Sequence, residues 1–140
     1  MTQRPELTTA VHCSAPLLDM IRYEHSGLGA TWNVEYGSAE DPAAFEWLSS
    51  YSPYHHVRDG VDYPSTLFTV FDHDTRVDPM HARKMCAALQ HATSGSRPIL
   101  IRAEFNVGHG ARSISRSVDL SADVLAFFAE ATGLAKELST

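Results

Sequence analysis

Apolar positions gather in three short runs rich in β-branched or aromatic residues, at 7–13, 66–71 and 99–105, and each reads as a strand. The middle run, Leu67-Phe68-Thr69-Val70-Phe71, is nearly continuous rather than alternating, which is the pattern of a strand covered on both faces, as in a parallel sheet. Between the second and third runs, residues 79–93 set Met85, Cys86 and Leu89 at helical spacing among polar and small residues and predict a crossover helix. Asp78 stands as its N-cap, Pro79 suits its first position, and Ser94-Gly95-Ser96 stops it. Residues 120–134 carry Val124, Leu125, Phe127, Phe128 and Ala131 ahead of Gly133 and predict a second amphipathic helix. Residues 42–51 read as a further helix through Phe45, Trp47 and Leu48, whereas 26–37 reads as loop despite its aromatics. The alternation β, α, β, α predicts an α/β fold with parallel strands and crossover helices.

A chain of 140 residues is the size of one domain. Its 11 basic residues are scattered and outnumbered by 17 acidic ones, so it lacks the footprint of a nucleic-acid binder. No apolar stretch approaches the roughly 20 residues that span a bilayer, and residues 1–6 lack the core of a signal peptide. No membrane association is expected, and the expected compartment is the cytoplasm, or the periplasm should a signal peptide lie upstream of Met1. Cys13 and Cys86 fit neither a disulfide framework nor a metal knuckle and are expected to be reduced.

The chemistry lies in the stretch 70–79, VFDHDTRVDP, which closes an apolar strand with three carboxylates, an imidazole and a guanidinium. In parallel α/β sheets ligands gather outside the carboxyl ends of the strands. Asp72 to Arg76 follow the second strand, and Asn106-Val107-Gly108-His109-Gly110 follow the third, with glycines that let the backbone turn so that His109 points out. An acid and a histidine on adjacent strand ends form two parts of a nucleophile–His–Asp triad, in the chain order that α/β-hydrolases use. Each residue also has a plainer use: Asp74 in an Asx turn, His109 in a solvent-facing loop, Arg76 in a surface ion pair, Trp32 in the core. Leu17, Leu28 and Val77 read as core on any account. For metal, His55-His56 with Asp59, or Asp72-His73-Asp74 with His81, offer donors but neither the helical i, i+4 pair nor the paired cysteines of a familiar site, and no metal or organic cofactor is expected.

The segments TQRPEL, WNVEYGS, YSPYHHV, DHDTRVDPMHARKMCAALQ and VGHGA resemble the C-terminal part of the catalytic domain of the prolyl oligopeptidase family, in register over residues 2–134. The resemblance implies an α/β-hydrolase sheet and hydrolysis of short peptides after proline through a serine ester, with a proline-containing oligopeptide as the partner. It implies Asp74 and His109 as acid and histidine of the triad, Arg76 as the group holding the carbonyl that adjoins the substrate proline, and Trp32 as the ring stacked on that proline. Leu17, Leu28, Tyr36 and Val77 match positions that line the proline pocket, and Asp72 with His73 is left to shape the turn.

Departures are equally legible. No G-x-S-x-G nucleophile elbow occurs in the chain, and ARSISRS at 111–117 replaces a lysine- and proline-bearing turn. His56 stands where asparagine is usual. The expectation is a single C-terminal fragment, residues 1–140, with Met1 an internal start and with the propeller and nucleophile-elbow segments absent. Such a chain is expected to be inactive alone, and marginally stable or self-associating through the uncovered edge of its first strand. The alternative is a catalytically silent remnant or interaction module.

Overall fold

The computed structural model describes residues 1–110 and 112–134. Three strands, β1 (Ala10–Ser14), β2 (Ser65–Phe71) and β3 (Ile99–Glu104), form one parallel sheet in the order β1-β2-β3. Its register pairs Ala10 with Ser65 on one side of β2 and Thr66 with Ile99 on the other. The α-helices are α1 (Asn33–Tyr36), α2 (Pro42–Tyr51), α3 (Met80–Ala92) and α4 (Ile114–Thr132).

β2 is the spine, with all seven residues buried. Successive side chains of a strand point to opposite faces, and the packing follows. Phe68 and Val70 sit in a core with Ala82, Met85, Cys86 and Leu89 of α3, whereas Phe71 joins Val107 and Leu120, backed by Val124 of α4. Helices therefore cover both faces, which is why β2 shows no apolar-polar alternation. A fully buried side chain such as Phe68 contributes about 1.5–3 kcal/mol. A separate cluster of Met20, Tyr23, Ala44 and Leu48 lies beside the sheet, with Leu17, Trp32 and Tyr36 packed on it.

Four elements depart from the sequence reading. β1 starts at Ala10 rather than residue 7, because Pro5–Leu7 fold into a 3-10 turn that leaves Leu7 exposed. β3 stops at Glu104, with Phe105 exposed beyond it. Residues 29–36, read as loop, form a 3-10 turn (Gly29–Trp32) followed by α1, pieces too short to show an amphipathic period. α4 begins at Ile114, six residues before the predicted start, with the Ser113 hydroxyl accepting from the Arg116 N–H at 3.4 Å. Its first turns hold Ile114 and Val118 in solvent, so their apolar spacing points away from the core. By contrast α2 has the predicted bounds, capped by Asp41 through the Ala43 N–H at 2.9 Å. The Asp78 carboxylate accepts from the Met80 N–H at 2.8 Å, as a cap should, although regular helical geometry starts at Met80.

The sheet is incomplete: among the described residues the outer edges of β1 and β3 have no partner strand. Apolar side chains of α4 also lie open, Ile114 at 85 %, Val118 at 61 % and Leu125 at 69 % exposure.

Candidate active site

Both chemistry-bearing loops leave the carboxyl ends of neighbouring parallel strands, β2 and β3. They are laced together by backbone: the Asp72 N–H donates to the Glu104 carbonyl at 3.1 Å and the His73 N–H to the Val107 carbonyl at 3.2 Å. The Asp72 carboxylate closes the weave by accepting from the Val107 N–H at 3.3 Å. Backbone N–H groups of Asn106 and Val107 hold its carboxyl below the ordinary value. The predicted turn-shaping role of Asp72 is thus a bond across to the histidine loop, while the His73 ring lies exposed.

Within this frame both oxygens of Asp74 are engaged as acceptors. Its Oδ1 takes the N–H groups of Arg76 and Val77, each at 2.9 Å, and its Oδ2 lies 2.8 Å from His109 Nδ1. The Asp74 side chain is 1 % exposed and that of His109 35 %. An ionised carboxylate only accepts, so Nδ1 carries the proton and Nε2 keeps its lone pair. Such an imidazole can take a proton from a hydroxyl and become a cation beside a fixed anion. Gly110, at φ +83°, supplies the left-handed turn after the histidine.

Two residues beyond the acid a second site opens. Leu17, Trp32, Tyr36, Arg76 and Val77 line one cavity of about 280 Å³, together with Glu35, which the sequence reading does not single out. Leu28 is not among them. It is about half exposed, and it contributes through its backbone, the Leu28 N–H donating to the Arg76 carbonyl at 3.1 Å. Leu17 and Val77 are half-buried pocket walls rather than core. Tyr36 is held by an edge-on contact with the Tyr23 ring, centroids 5.7 Å apart, and its carbonyl accepts from Trp47 Nε1 at 3.0 Å. Gly27 lets the Trp32 segment lie against the acid loop. Its φ is +54°, and a Cβ there would stand 2.7 Å from the Arg76 carbonyl oxygen. Among the described residues neither Arg76 nor Glu35 forms an ion pair, so a flat aromatic and aliphatic slot carries two free charges at its rim. That arrangement suits a compact apolar ring flanked by polar backbone.

Among the described residues no group of three or more His, Cys, Asp or Glu side chains gathers at ligand spacing, the two sets weighed from sequence included. No helix among them is long and apolar enough to cross a membrane. Cys13 and Cys86 are unpaired, and burial pushes both thiols up.

Known proteins share this architecture. Residues 1–135 match the model of the prolyl oligopeptidase family. A prolyl endopeptidase of Elizabethkingia meningoseptica is 47 % identical over 129 residues, 91 % of this chain and 18 % of its own. The prolyl oligopeptidase dbiP of Dendrothele bispora is 39 % identical over 139 residues, 97 % of this chain and 19 % of its own. A solved prolyl endopeptidase superposes with a TM-score of 0.91 at 50 % identity, over 94 % of this chain and 20 % of that one. A post-proline cleaving enzyme of Rickettsia typhi does so with a TM-score of 0.86 at 35 % identity, over 94 % of this chain and 19 % of that one. The chain spans about a fifth of the length of these relatives, and its small parallel sheet matches part of their α/β-hydrolase catalytic domain.

Proposed function

The chain belongs to the prolyl oligopeptidase family, and from that premise we propose that it supplies the acid and the histidine of a serine peptidase that cleaves short peptides after proline. The observation carrying this reading is the 2.8 Å contact between the buried Asp74 carboxylate and His109 Nδ1, with the other carboxylate oxygen saturated by two backbone N–H groups. In the proposed reaction His109 Nε2 takes the proton of a serine hydroxyl as its oxygen bonds to the peptide carbonyl carbon. The protonated histidine returns that proton to the leaving amine as the C–N bond breaks, and water releases the acyl group by the same route. Arg76 anchors the carbonyl adjoining the substrate proline. Trp32, Tyr36, Leu17 and Val77 accept the pyrrolidine ring, which offers a flat apolar face and no N–H, and the Leu28 segment closes the slot.

In this reading the nucleophile comes from sequence outside these residues, as no G-x-S-x-G elbow occurs among the 140, and the 140 alone are expected to be inactive. The compartment we propose is the cytoplasm, or the periplasm should a signal peptide lie upstream. A second reading, an interaction module without catalysis of its own, is favoured by the open apolar side chains of α4 and the unpaired sheet edges. The first test is the intact mass of the native protein in its source cells, followed by labelling with a serine-directed fluorophosphonate and assay on a proline-ended chromogenic peptide. Labelling and turnover abolished by His109→Ala support the peptidase. A native protein of 15.4 kDa inert to both reagents supports the module.

A further inference from the structure

Away from the acid and the histidine, the fold buries a second set of polar groups. Asp19, with a side chain 0 % exposed, interrupts the apolar run Leu17-Leu18-Asp19-Met20-Ile21 just after β1. Its carboxylate accepts from Lys84 on α3, from Arg22 Nη1 at 3.2 Å, and from the N–H groups of Ile21 and Arg22, each at 3.2 Å. Its backbone N–H donates to Nδ1 of His81 at 3.2 Å, where His81 is a buried residue of the first turn of α3. The buried Ser52 hydroxyl takes the Met20 N–H at 3.0 Å and lies 2.8 Å from His55 Nδ1, and the Tyr54 N–H donates to the Leu18 carbonyl at 3.0 Å. Together these bonds pin the segment that carries Leu17.

This set lies between two walls of the proline slot. Leu17 is two residues before Asp19, while Arg76 and Val77 stand just ahead of α3, which carries His81 and Lys84. A buried polar group tolerates no slack, because a lost partner costs the full desolvation of the group left behind. We propose that His81 and Asp19 are positioning residues for the substrate slot: their backbone-to-imidazole bond fixes the distance between the Leu17 wall and the Arg76–Val77 wall. The inference rests on the reading of that cavity as the proline site.

The tautomer follows from the geometry. Nδ1 accepts, so the ring proton sits on Nε2, which is buried with no partner among the described residues. A protonated ring would turn a second donor toward the Asp19 N–H and break the tie. Burial keeps His81 neutral by lowering its pKa, against the opposing pull of Asp19 and Asp78 and with the help of Lys84. The ring accepts the burial of an unused donor in order to offer Nδ1, an arrangement that core packing alone does not call for.

The test uses the full 140-residue chain with methyl-labelled leucine and valine, titrated with an N-blocked glycyl-proline peptide. His81→Leu is expected to displace the Leu17 and Val77 methyl signals and to weaken peptide binding about tenfold, with the His109 ring signals unchanged. His81→Asn, whose Oδ1 can stand where Nδ1 stood, is expected to restore both. Unchanged Leu17 and Val77 signals in His81→Leu, or equal loss in the Leu and Asn variants, would overturn the proposal. Should His81→Leu fail to fold, His81→Gln against His81→Asn decides the same point, since one extra methylene misplaces the acceptor. If the unaltered chain binds no peptide, the reading of the slot falls, and the methyl signals still judge the positioning.

Discussion

Replacing Asp74 by asparagine changes one thing in the site while sparing its frame. The new amide keeps an oxygen for the N–H groups of Arg76 and Val77, which donate to the native carboxylate at 2.9 Å each, and puts an NH2 where Oδ2 met His109. Two donors cannot face each other, so the imidazole moves its proton from Nδ1 to Nε2. A charge-assisted hydrogen bond of about 1.5–3 kcal/mol becomes a neutral one of about 0.5–1.5 kcal/mol, and the chain loses roughly 1 kcal/mol of stability. Asp74→Ala instead strands two backbone donors at about 1–3 kcal/mol each, less what water recovers at this half-open site, and is expected to cost about 2–4 kcal/mol. Nitrogen-15 NMR of the His109 ring is the assay, with urea melts of both variants. The expected result is a protonated Nδ1 in the unaltered chain, a protonated Nε2 in Asp74→Asn, and the larger stability loss in Asp74→Ala. In an active peptidase containing this chain the asparagine variant should lose about 10⁴ in kcat, the cost of a wrong tautomer in such triads. Persistence of the Nδ1 proton in Asp74→Asn, or equal destabilisation by both changes, would refute the reasoning.

Gly27→Ala meets the Arg76 carbonyl at 2.7 Å with φ at +54° and is expected to cost about 1–3 kcal/mol in a thermal melt and to shift the Trp32 fluorescence. Stability should fall in two stages as pH drops. His81 and His55 are held neutral by burial, so unfolding takes up protons below the unfolded histidine value of about 6.5. Burial opposes ionisation of Asp19, but its bonds from Lys84 and Arg22 win and lower its pKa, so the stability it gives is full above the unfolded value of about 3.9 and lost as pH falls through the lower folded one. Melting temperature against pH, with His81→Asn flattening the upper stage and Asp19→Asn the lower, checks both signs. The chain alone is expected to self-associate through open apolar faces, and glutamate at Ile114, Val118 and Leu125 should raise the monomer fraction in sedimentation velocity unless the free strand edges dominate.

What the sequence discloses, and what it hides, divides by the range of the physics involved. β2 and α2 are readable because continuous burial and local capping leave marks within a few residues, as in Ser65–Phe71 and in Asp41 ahead of Pro42. The contact between Asp74 and His109 is readable because strand-end loops in a parallel sheet converge, and the resemblance singles out these two residues from their neighbours. The start of α4 is not, since Ile114 and Val118 are apolar residues turned to solvent, against the usual meaning of the pattern. Nor is the exposure of Leu28, whose part in the site is played by its backbone N–H, which no side-chain pattern reports. The Asp19 cluster leaves a trace, a lone carboxylate in an apolar run, but its partners Ser52, His81 and Lys84 lie 32 to 65 residues away.

The Asp74–His109 contact and the slot draw on different parts of the chain. Asp74 and His109 are 35 residues apart, joined through the single passage β2, α3, β3. The slot borrows Leu17, Trp32, Glu35 and Tyr36 from the first third, which packs around its own small core of Met20, Tyr23, Ala44 and Leu48. In the proposed reading the early segment shapes most of the slot while the later passage holds the proton-transfer pair, and the bond from the Asp19 N–H to His81 Nδ1 ties the two together. In hydrogen exchange the same division should appear as two cooperative units, with the early segment opening at lower free energy than the strand-helix-strand passage behind the histidine.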